Sequence, residues 1–277
     1  SEVGRSLGGR AINLSMGAMT AYETRRLLEV ALATGRPRQI VMDLSFNSFA
    51  VKPDGVLTPD PFPEYLYGKG RWNDLRYLLQ ALPLKLSIEM LADARWSRYS
   101  TDADRPWYWA DEYEFSRRAA VRGLDAQHIN ALYKLQPMDP VRLKQNFIRN
   151  VLPLLQSHPE VRFTLVWPPY SILAWIDLRQ RGSLETALAF RTFVAESVAG
   201  QPNTDIFDFQ ADAEITGNLD HYKDIFHYSP AISRRMLERF AQRDRRSQWP
   251  DIETNNRRIR AQALVADPWK LVRVQFP

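Results

Sequence analysis

The sequence predicts an α/β fold, in which a mainly parallel sheet is combined with helices. Runs rich in β-branched and aromatic residues, typical of buried strands, occur near residues 38–44, 161–167 and 205–209. Stretches with apolar residues at helical spacing lie between them, which is the order expected of strand–helix–strand units. The 277 residues, of which 45% are hydrophobic and 25% charged, suffice for a substantial core in one soluble domain covering residues 1–277.

The first third is predicted to form a strand, a crossover helix and a second strand. The short apolar run Ala11–Leu14 predicts the first strand, and Thr20 with Glu23 forms a capping-box pattern that begins the helix. Gly35 ends this helix, and the continuous apolar run at 38–44 predicts the second strand of a parallel sheet. The residues expected on the buried face of the helix are Leu27, Leu28, Ala31 and Leu32.

A helical insertion is predicted at about residues 51–156. Its first part, 51–70, is rich in proline and glycine, which break regular structure, and its remainder shows mainly helical spacing, with one helix from about Pro140. Aromatic residues, including Trp107 and Trp109, are concentrated at 105–115. These rings could present faces to a sugar or cover an acyl pocket, although anchoring of the insertion to the sheet is the favoured interpretation.

The sheet is predicted to return after the insertion. A strand at 161–167 stops at two prolines, helices follow over about 171–199, and a further strand is expected at 205–209. Ser229 and Pro230 are suited to the cap and first turn of the last clear helix. A basic arm at about 246–277 is expected to pack on the body. The inner face of the last clear helix is predicted to be Ile232, Met236, Leu237 and Phe240.

Composition excludes several function classes. The chain has no cysteine, which rules out disulfides, thiolate catalysis and cysteine-based metal sites, and it shows no zinc spacing or phosphate-binding loop. The net charge of +5 is mild, and the basic clusters at 234–235, 243–246 and 257–260 are interpreted as solvated helix faces, so no nucleic-acid partner is expected. No apolar run approaches the ~20 residues needed to span a bilayer.

Asp224 and His227 are the candidate catalytic pair. An aspartate three residues before a histidine can hold one imidazole tautomer and stabilise the imidazolium that forms when the ring takes a proton from a serine. His221 is a rival base, but no acidic residue stands three places before it. By spacing alone, a solvated loop explains the pair equally well.

The placement of polar residues after predicted strands strengthens this hypothesis. In open α/β sheets, ligands bind beyond the carboxyl ends of the strands. Polar or special residues follow each predicted strand, at 13–20, at 45–48, at 168–171 including Tyr170, and at 224–227. Asn13, Asn47 and Gly17 taken singly are more typical of turns, so their convergence carries the inference.

This set of residues resembles the SGNH hydrolase superfamily, especially its extracytoplasmic branch with bacterial polysaccharide O-acetyltransferase-like proteins. Asp224-Ile-Phe-His227 resembles the terminal Asp-x-x-His block of the family. The stretch around Gly17 and Ala18 resembles the second block, in which the backbone N–H of one small residue binds an oxyanion. Asn47 resembles the asparagine of the third block, whose amide completes the oxyanion hole. The resemblance implies a three-layer α/β/α fold and a Ser-His-Asp mechanism that needs no metal and no organic cofactor.

The nucleophilic serine is the main departure from that pattern. Family members begin with a strand that leads to a Gly-Asp-Ser or Gly-x-Ser turn, and here Ser1-Glu-Val-Gly4 resembles a remnant of that block. Ser1 is then either the nucleophile itself or lies a residue or two beyond it. The second alternative is favoured, because a serine without a preceding strand could not be preorganised.

The resemblance implies an esterase or O-acyltransferase that acts on acyl groups of a cell-surface carbohydrate or an acylated small molecule. It also implies a periplasmic or extracytoplasmic location, with a membrane anchor outside this chain and protein partners in a polysaccharide-modifying assembly. Tyr170, Trp107 and Trp109 are the candidate substrate-binding residues. Two other hypotheses stay open: a non-catalytic SGNH-like module that binds glycan or a partner protein, and an intracellular α/β protein unrelated to SGNH enzymes.

Overall fold

Three parallel strands form the sheet, in the order β1–β2–β3: β1 is Gln39–Asp43, β2 is Arg162–Trp167 and β3 is Thr204–Asp208. The computed structural model describes residues 2–17, 19–56, 108–122, 137–242 and 249–266, with single positions at 65, 72, 75, 84, 85, 87, 88 and 91. In this part of the chain the α/β class and the strands predicted at 38–44, 161–167 and 205–209 are confirmed.

Helices precede, separate and follow the three strands in the described part of the chain. Two short 3₁₀ helices, Tyr108–Glu112 and Leu219–His221, accompany them. The α-helices are α1 Glu2–Ser6, α2 Ala21–Ala33, α3 Phe46–Ala50, α4 Arg117–Val121, α5 Pro140–Asn150, α6 Leu152–Ser157, α7 Ile172–Gln180, α8 Leu184–Val198, α9 Ala213–Thr216, α10 Pro230–Gln242 and α11 Trp249–Val265.

Helix α2 begins and ends where the sequence predicts. The Thr20 hydroxyl accepts the Glu23 N–H at 3.1 Å, and the Glu23 carboxylate accepts the Thr20 N–H at 2.8 Å, so the capping box is complete and buried. Gly35 adopts a φ of +65° beyond the last turn and donates its N–H to Leu32 O at 2.9 Å. Of the predicted inner face, Leu28 and Leu32 are buried, and Leu27 and Ala31 are half-buried.

The strand predicted at Ala11–Leu14 is wrong. Residues 10–16 are irregular and exposed, and the Ile12 side chain is 83% exposed. The Asn13 carboxamide accepts hydrogen bonds from the backbone N–H and the hydroxyl of Ser15, at 2.9 and 2.6 Å. Local turn chemistry of this kind satisfies the backbone without a strand partner, so a run with only a few apolar residues does not join the sheet.

The alternating side chains of β2 point into two separate hydrophobic clusters. Phe163, Leu165 and Trp167 join the larger cluster, whereas Val166 joins a second cluster that contains Phe207. Since neighbouring side chains of a strand point to opposite faces, helical residues pack on both faces of the sheet. The second cluster includes the complete inner face predicted for α10, which is Ile232, Met236, Leu237 and Phe240.

A buried arginine joins the carboxyl ends of the strands to α11. The Arg191 guanidinium, fully buried, pairs with Asp208, donates to Asn256 Oδ1 at 2.7 Å and also bonds Gln210. It lies 5.1 Å from the ring centroid of Trp167, so the cation is also stacked on an aromatic face. Burial of a charge is tolerated only with partners of this kind.

The later part of the predicted insertion packs into the larger cluster. Helix α5 begins at Pro140, as predicted, packs against α2, α3 and α8, and buries Leu143 and Phe147. Residues 57–107 and 123–136 lie almost entirely outside the described part, so the boundaries of the insertion stay a prediction.

The predicted C-terminal arm is a helix over much of its length. Helix α11 packs on α7 and α8 and buries Ile252, Ile259 and Ala263. The expectation that this segment packs on the body is therefore confirmed for its described part. Among the helices that the structure describes, none is long and apolar enough to cross a membrane.

Candidate functional site

Asp224 and His227 form a hydrogen-bonded pair on a closed loop before α10. Tyr222 and Tyr228 pair as an antiparallel bridge at the base of the loop, and the Lys223 N–H donates to His227 O at 3.0 Å. Nδ1 of His227 lies 2.7 and 2.9 Å from the two carboxylate oxygens of Asp224. A carboxylate only accepts hydrogen bonds, so Nδ1 carries the proton and Nε2 is the nitrogen that can accept one.

Four donors hold the Asp224 carboxylate. Besides His227 Nδ1, the backbone N–H groups of Phe226 and His227 donate to Oδ1 at 2.9 and 2.8 Å, and Lys223 Nζ donates to Oδ2 at 2.9 Å. Partial burial by itself raises the pKa of Asp224, but the hydrogen bonds from His227, Lys223 and the two backbone groups outweigh it. The pKa therefore lies well below its ordinary value, and the carboxylate is ionised at neutral pH.

Asn47 and Tyr170 share a small cleft with the residue before His227. The Tyr170 ring meets the Phe226 ring edge-on, with 5.3 Å between centroids, and Ser171 donates its N–H and hydroxyl to Ile225 O at 3.1 and 2.8 Å. The segments that follow β1 and β2 thus meet the Asp224–His227 loop, as strand-end placement predicts. The cleft is lined by Ser45, Phe46, Asn47, Tyr170, Ala174, Trp175, Leu178, Arg181 and Phe226.

Gly17 lies in the exposed, irregular segment that precedes α2. The Ser48 hydroxyl donates to Met19 O at 2.8 Å, so the end of this segment is attached to α3 one residue after Asn47. A Cβ at Gly17 would meet no atom within 4 Å, so packing does not require glycine here. The segment therefore approaches α3 without following a strand, contrary to the sequence prediction.

Ser1, Ala18 and Trp107 lie outside the described residues, as does the Trp109 side chain, whose backbone belongs to the first 3₁₀ helix. Helix α1 begins at Glu2, and its Val3 packs against the second hydrophobic cluster. Tyr228, which directly follows His227, packs against the same cluster. The beginning of α1 and the Asp224–His227 loop are thus anchored on one group of side chains.

The other described histidines have different surroundings. His221 contacts Asn218 Nδ2 through Nε2 at 3.2 Å, and an amide nitrogen cannot orient an imidazole as a carboxylate does. His158 Nδ1 lies 2.9 Å from the Ser157 hydroxyl and 3.2 Å from Leu154 O, at the end of α6. These positions favour His227 over His221 as the candidate base.

Sequence reasoning missed Asp43, at the end of β1, and Tyr228, which follows His227. The pKa of Asp43 is raised because surrounding protein atoms desolvate its carboxylate, although the residue as a whole keeps exposed surface. Hydrogen bonds from backbone N–H groups partly oppose this rise. Burial first, and then the Asp43 charge, raise the pKa of Tyr170 and of Tyr228, so both phenols stay protonated. The only sequence signal was an acidic residue that ends an apolar strand.

Lys223 was also missed, because sequence adjacency to Asp224 does not reveal where its side chain points. Its ammonium pairs with the Asp224 carboxylate and also lies 4.3 Å from the centroid of the Tyr113 ring. The part of the chain that the structure describes contains no group of three or more side chains able to hold a metal ion.

Comparison with protein-family models, with curated proteins and with solved structures finds no match to this chain.

Proposed function

We propose that this protein is an SGNH-like serine esterase or O-acyltransferase that acts on acyl groups of a carbohydrate. The observation that carries the proposal is the Asp224–His227 pair, with a 2.7 Å contact and an ionised carboxylate, beside a cleft that includes Asn47. The helical packing on both faces of the parallel sheet supports the three-layer α/β/α arrangement that this family implies.

In the proposed mechanism, a serine hydroxyl attacks the ester carbonyl while Nε2 of His227 takes its proton. Asp224 holds the ring through Nδ1 and stabilises the imidazolium. The backbone N–H of Gly17 or Ala18 and the amide of Asn47 stabilise the oxyanion. His227 then returns the proton to the departing alkoxide, and water or a sugar hydroxyl resolves the acyl-enzyme.

The serine is Ser1 or a residue shortly before it. The packing of Val3 and Tyr228 against one hydrophobic cluster supports either position. The Tyr170 ring is buried between Phe46 and Phe226, which supports its proposed role as a wall of the cleft. Roles for Trp107 and Trp109 in sugar binding, and a periplasmic location, belong to the same proposal.

The test is acetate release from p-nitrophenyl acetate by protein that includes the residues just before Ser1. We expect His227→Ala to lower kcat/KM about 10²–10⁴-fold, the range for loss of a general base. Asp224→Asn should lower it as well, because the amide disfavours the required tautomer. His221→Ala is the matched control and should keep the native rate. Equal rates for the native protein and His227→Ala would reject the proposed base.

Ser1→Ala locates the nucleophile in the same assay. Loss of release identifies Ser1, whereas full release by Ser1→Ala together with loss in His227→Ala places the serine before it. No release by the native protein would overturn the proposal and leave the non-catalytic, glycan-binding or partner-binding module as the alternative.

A further inference from the structure

Lys223 links the Asp224–His227 pair to a distant segment of the chain. Its Nζ lies 2.9 Å from Asp224 Oδ2 and 4.3 Å from the centroid of the Tyr113 ring. The Lys223 side chain is 16% exposed, compared with 37% for Asp224 and 58% for His227. Lys223 therefore has the least exposed side chain of the three. Its ammonium lies between a carboxylate and an aromatic face, and both contacts favour a cation.

Tyr113 is held against the loop by its own chain neighbours. The Ser116 N–H donates to Tyr222 O at 3.1 Å, and the Arg117 N–H at the start of α4 donates to Asp220 Oδ1 at 2.8 Å. Residues 113–117 thus run along residues 220–223. This segment belongs to the stretch that the sequence assigns to the insertion, so the insertion contacts the candidate site directly.

The Lys223 ammonium and the His227 imidazole contact the same carboxylate oxygen. Asp224 Oδ2 is contacted by Lys223 Nζ at 2.9 Å and by His227 Nδ1 at 2.7 Å. Two groups on one oxygen lie within the ~4–6 Å over which like charges oppose each other's protonation. A positive charge at Lys223 therefore disfavours the imidazolium form of His227, while the carboxylate stays oriented.

We propose that Lys223, held by the Tyr113 ring, is a positioning residue that fixes Asp224 and whose charge opposes protonation of His227. This inference rests on the proposed function for its catalytic meaning, but the relation between Lys223 and His227 does not depend on activity. It assigns to residues 113–117 a role in setting the protonation of the candidate base.

Other titratable groups surround the Asp224–His227 loop, and none of them changes in the Lys223 and Tyr113 variants described below. They come from the end of β1, the loop after β2, the loop itself, the second 3₁₀ helix and the 113–117 segment. These groups are Asp43, Tyr170, Tyr222, Tyr228, Asp220, His221, Glu114 and Arg117.

The test follows the ring protons of His227 by NMR during a pH titration. The chain has four histidines, and His227→Gln identifies the signal. We expect Lys223→Met to raise the titration midpoint by about one pH unit, the lower end of the effect of a nearby charge. Lys223→Gln, which keeps a donor for Asp224 without the charge, should raise it equally, and Lys223→Arg should leave it near the native value.

Tyr113 variants separate the ring from its hydroxyl. Tyr113→Phe keeps the aromatic face and should leave the midpoint unchanged, whereas Tyr113→Leu should raise it because the ammonium loses its support. In acetate release, the acidic limb of the kcat/KM profile should move with the midpoint in each variant.

An unchanged or lowered midpoint in folded Lys223→Met and Lys223→Gln would overturn this inference even if acetate is released. Conversely, a raised midpoint in a protein that releases no acetate would support Lys223 and reject the proposed function. Thermal unfolding followed by circular dichroism establishes that each variant is folded. If Lys223→Met does not fold, Lys223→Gln and Tyr113→Leu decide the outcome.

Discussion

Replacement of Arg191 by methionine should destabilise the protein strongly. Arg191 and Asp208 are both fully buried, and the guanidinium also donates to Asn256 and Gln210. Methionine keeps an apolar stem of similar length but removes every donor, and it leaves the Asp208 carboxylate in the interior without its cation.

The magnitude follows from the partners that Asp208 keeps. Removal of one partner of a buried ion pair costs about 3–5 kcal/mol. Asn255 Nδ2 still donates to Asp208 at 2.7 Å and the Gln210 N–H at 3.1 Å, so the carboxylate is not left bare. We therefore expect Arg191→Met to lower the free energy of unfolding by about 3 kcal/mol, the lower end of that range. This loss is a large share of the ~5–15 kcal/mol by which a typical folded protein is stable.

Arg260→Ala provides the matched control. Arg260 lies on α11 and makes two hydrogen bonds to Glu185, at 2.8 and 2.6 Å, yet the side chains are 39% and 66% exposed. An exposed pair of this kind contributes at most about 1 kcal/mol. Both arginines form hydrogen bonds between α8 and α11, so the comparison isolates the effect of burial on stability.

The assay is urea unfolding at pH 7, monitored by tryptophan fluorescence, with the free energy extrapolated to water. The expected order is a loss of about 3 kcal/mol for Arg191→Met and of less than about 1 kcal/mol for Arg260→Ala. If the two variants lose the same stability to within 1 kcal/mol, the conclusion that Arg191 compensates the buried charge of Asp208 would be refuted.

Three further predictions concern single positions. The pKa of folded Asp224 lies below the ~3.9 of an unfolded chain, so its carboxylate stabilises the fold above about pH 4 and this contribution is lost as the pH falls; the loss of stability in Asp224→Asn, measured by urea unfolding, should therefore shrink between pH 6 and pH 2. An equal loss at both pH values would contradict this. Gly182 has a φ of +68°, so Gly182→Ala should cost about 1 kcal/mol, whereas Gly200→Ala, equally open but without positive φ, should be neutral in thermal unfolding. Thr20→Ala should cost about 1–2 kcal/mol in urea unfolding because it removes one half of a buried capping box; no loss would mean that Glu23 alone caps α2.

Much of the fold could be predicted because local patterns and tertiary packing agree. The continuous apolar runs of β1, β2 and β3 report burial on both faces of a parallel sheet. The capping box at Thr20 and the inner face of α10 are local signals with a known geometry. The run Ala11–Leu14 failed because a strand also needs a partner, and the Asn13 side chain satisfies the nearby backbone instead.

The candidate site was only partly predictable for the same reason. Spacing identified Asp224 and His227, and strand-end placement indicated that Asn47 and Tyr170 approach them. Neither argument could reach Lys223, because its neighbour Tyr113 is 110 positions away along the chain.

The sequence by itself determined the α/β class, the three strands and the choice of Asp224 and His227 as the candidate pair, since each depends on residues close together along the chain. The tertiary structure decided how that pair is surrounded. It closed the Asp224–His227 loop with a Tyr222–Tyr228 bridge, placed Lys223 on the carboxylate and buried Arg191 against Asp208. Protonation and charge depend on distances and burial, and these are properties of the packed chain rather than of residue order.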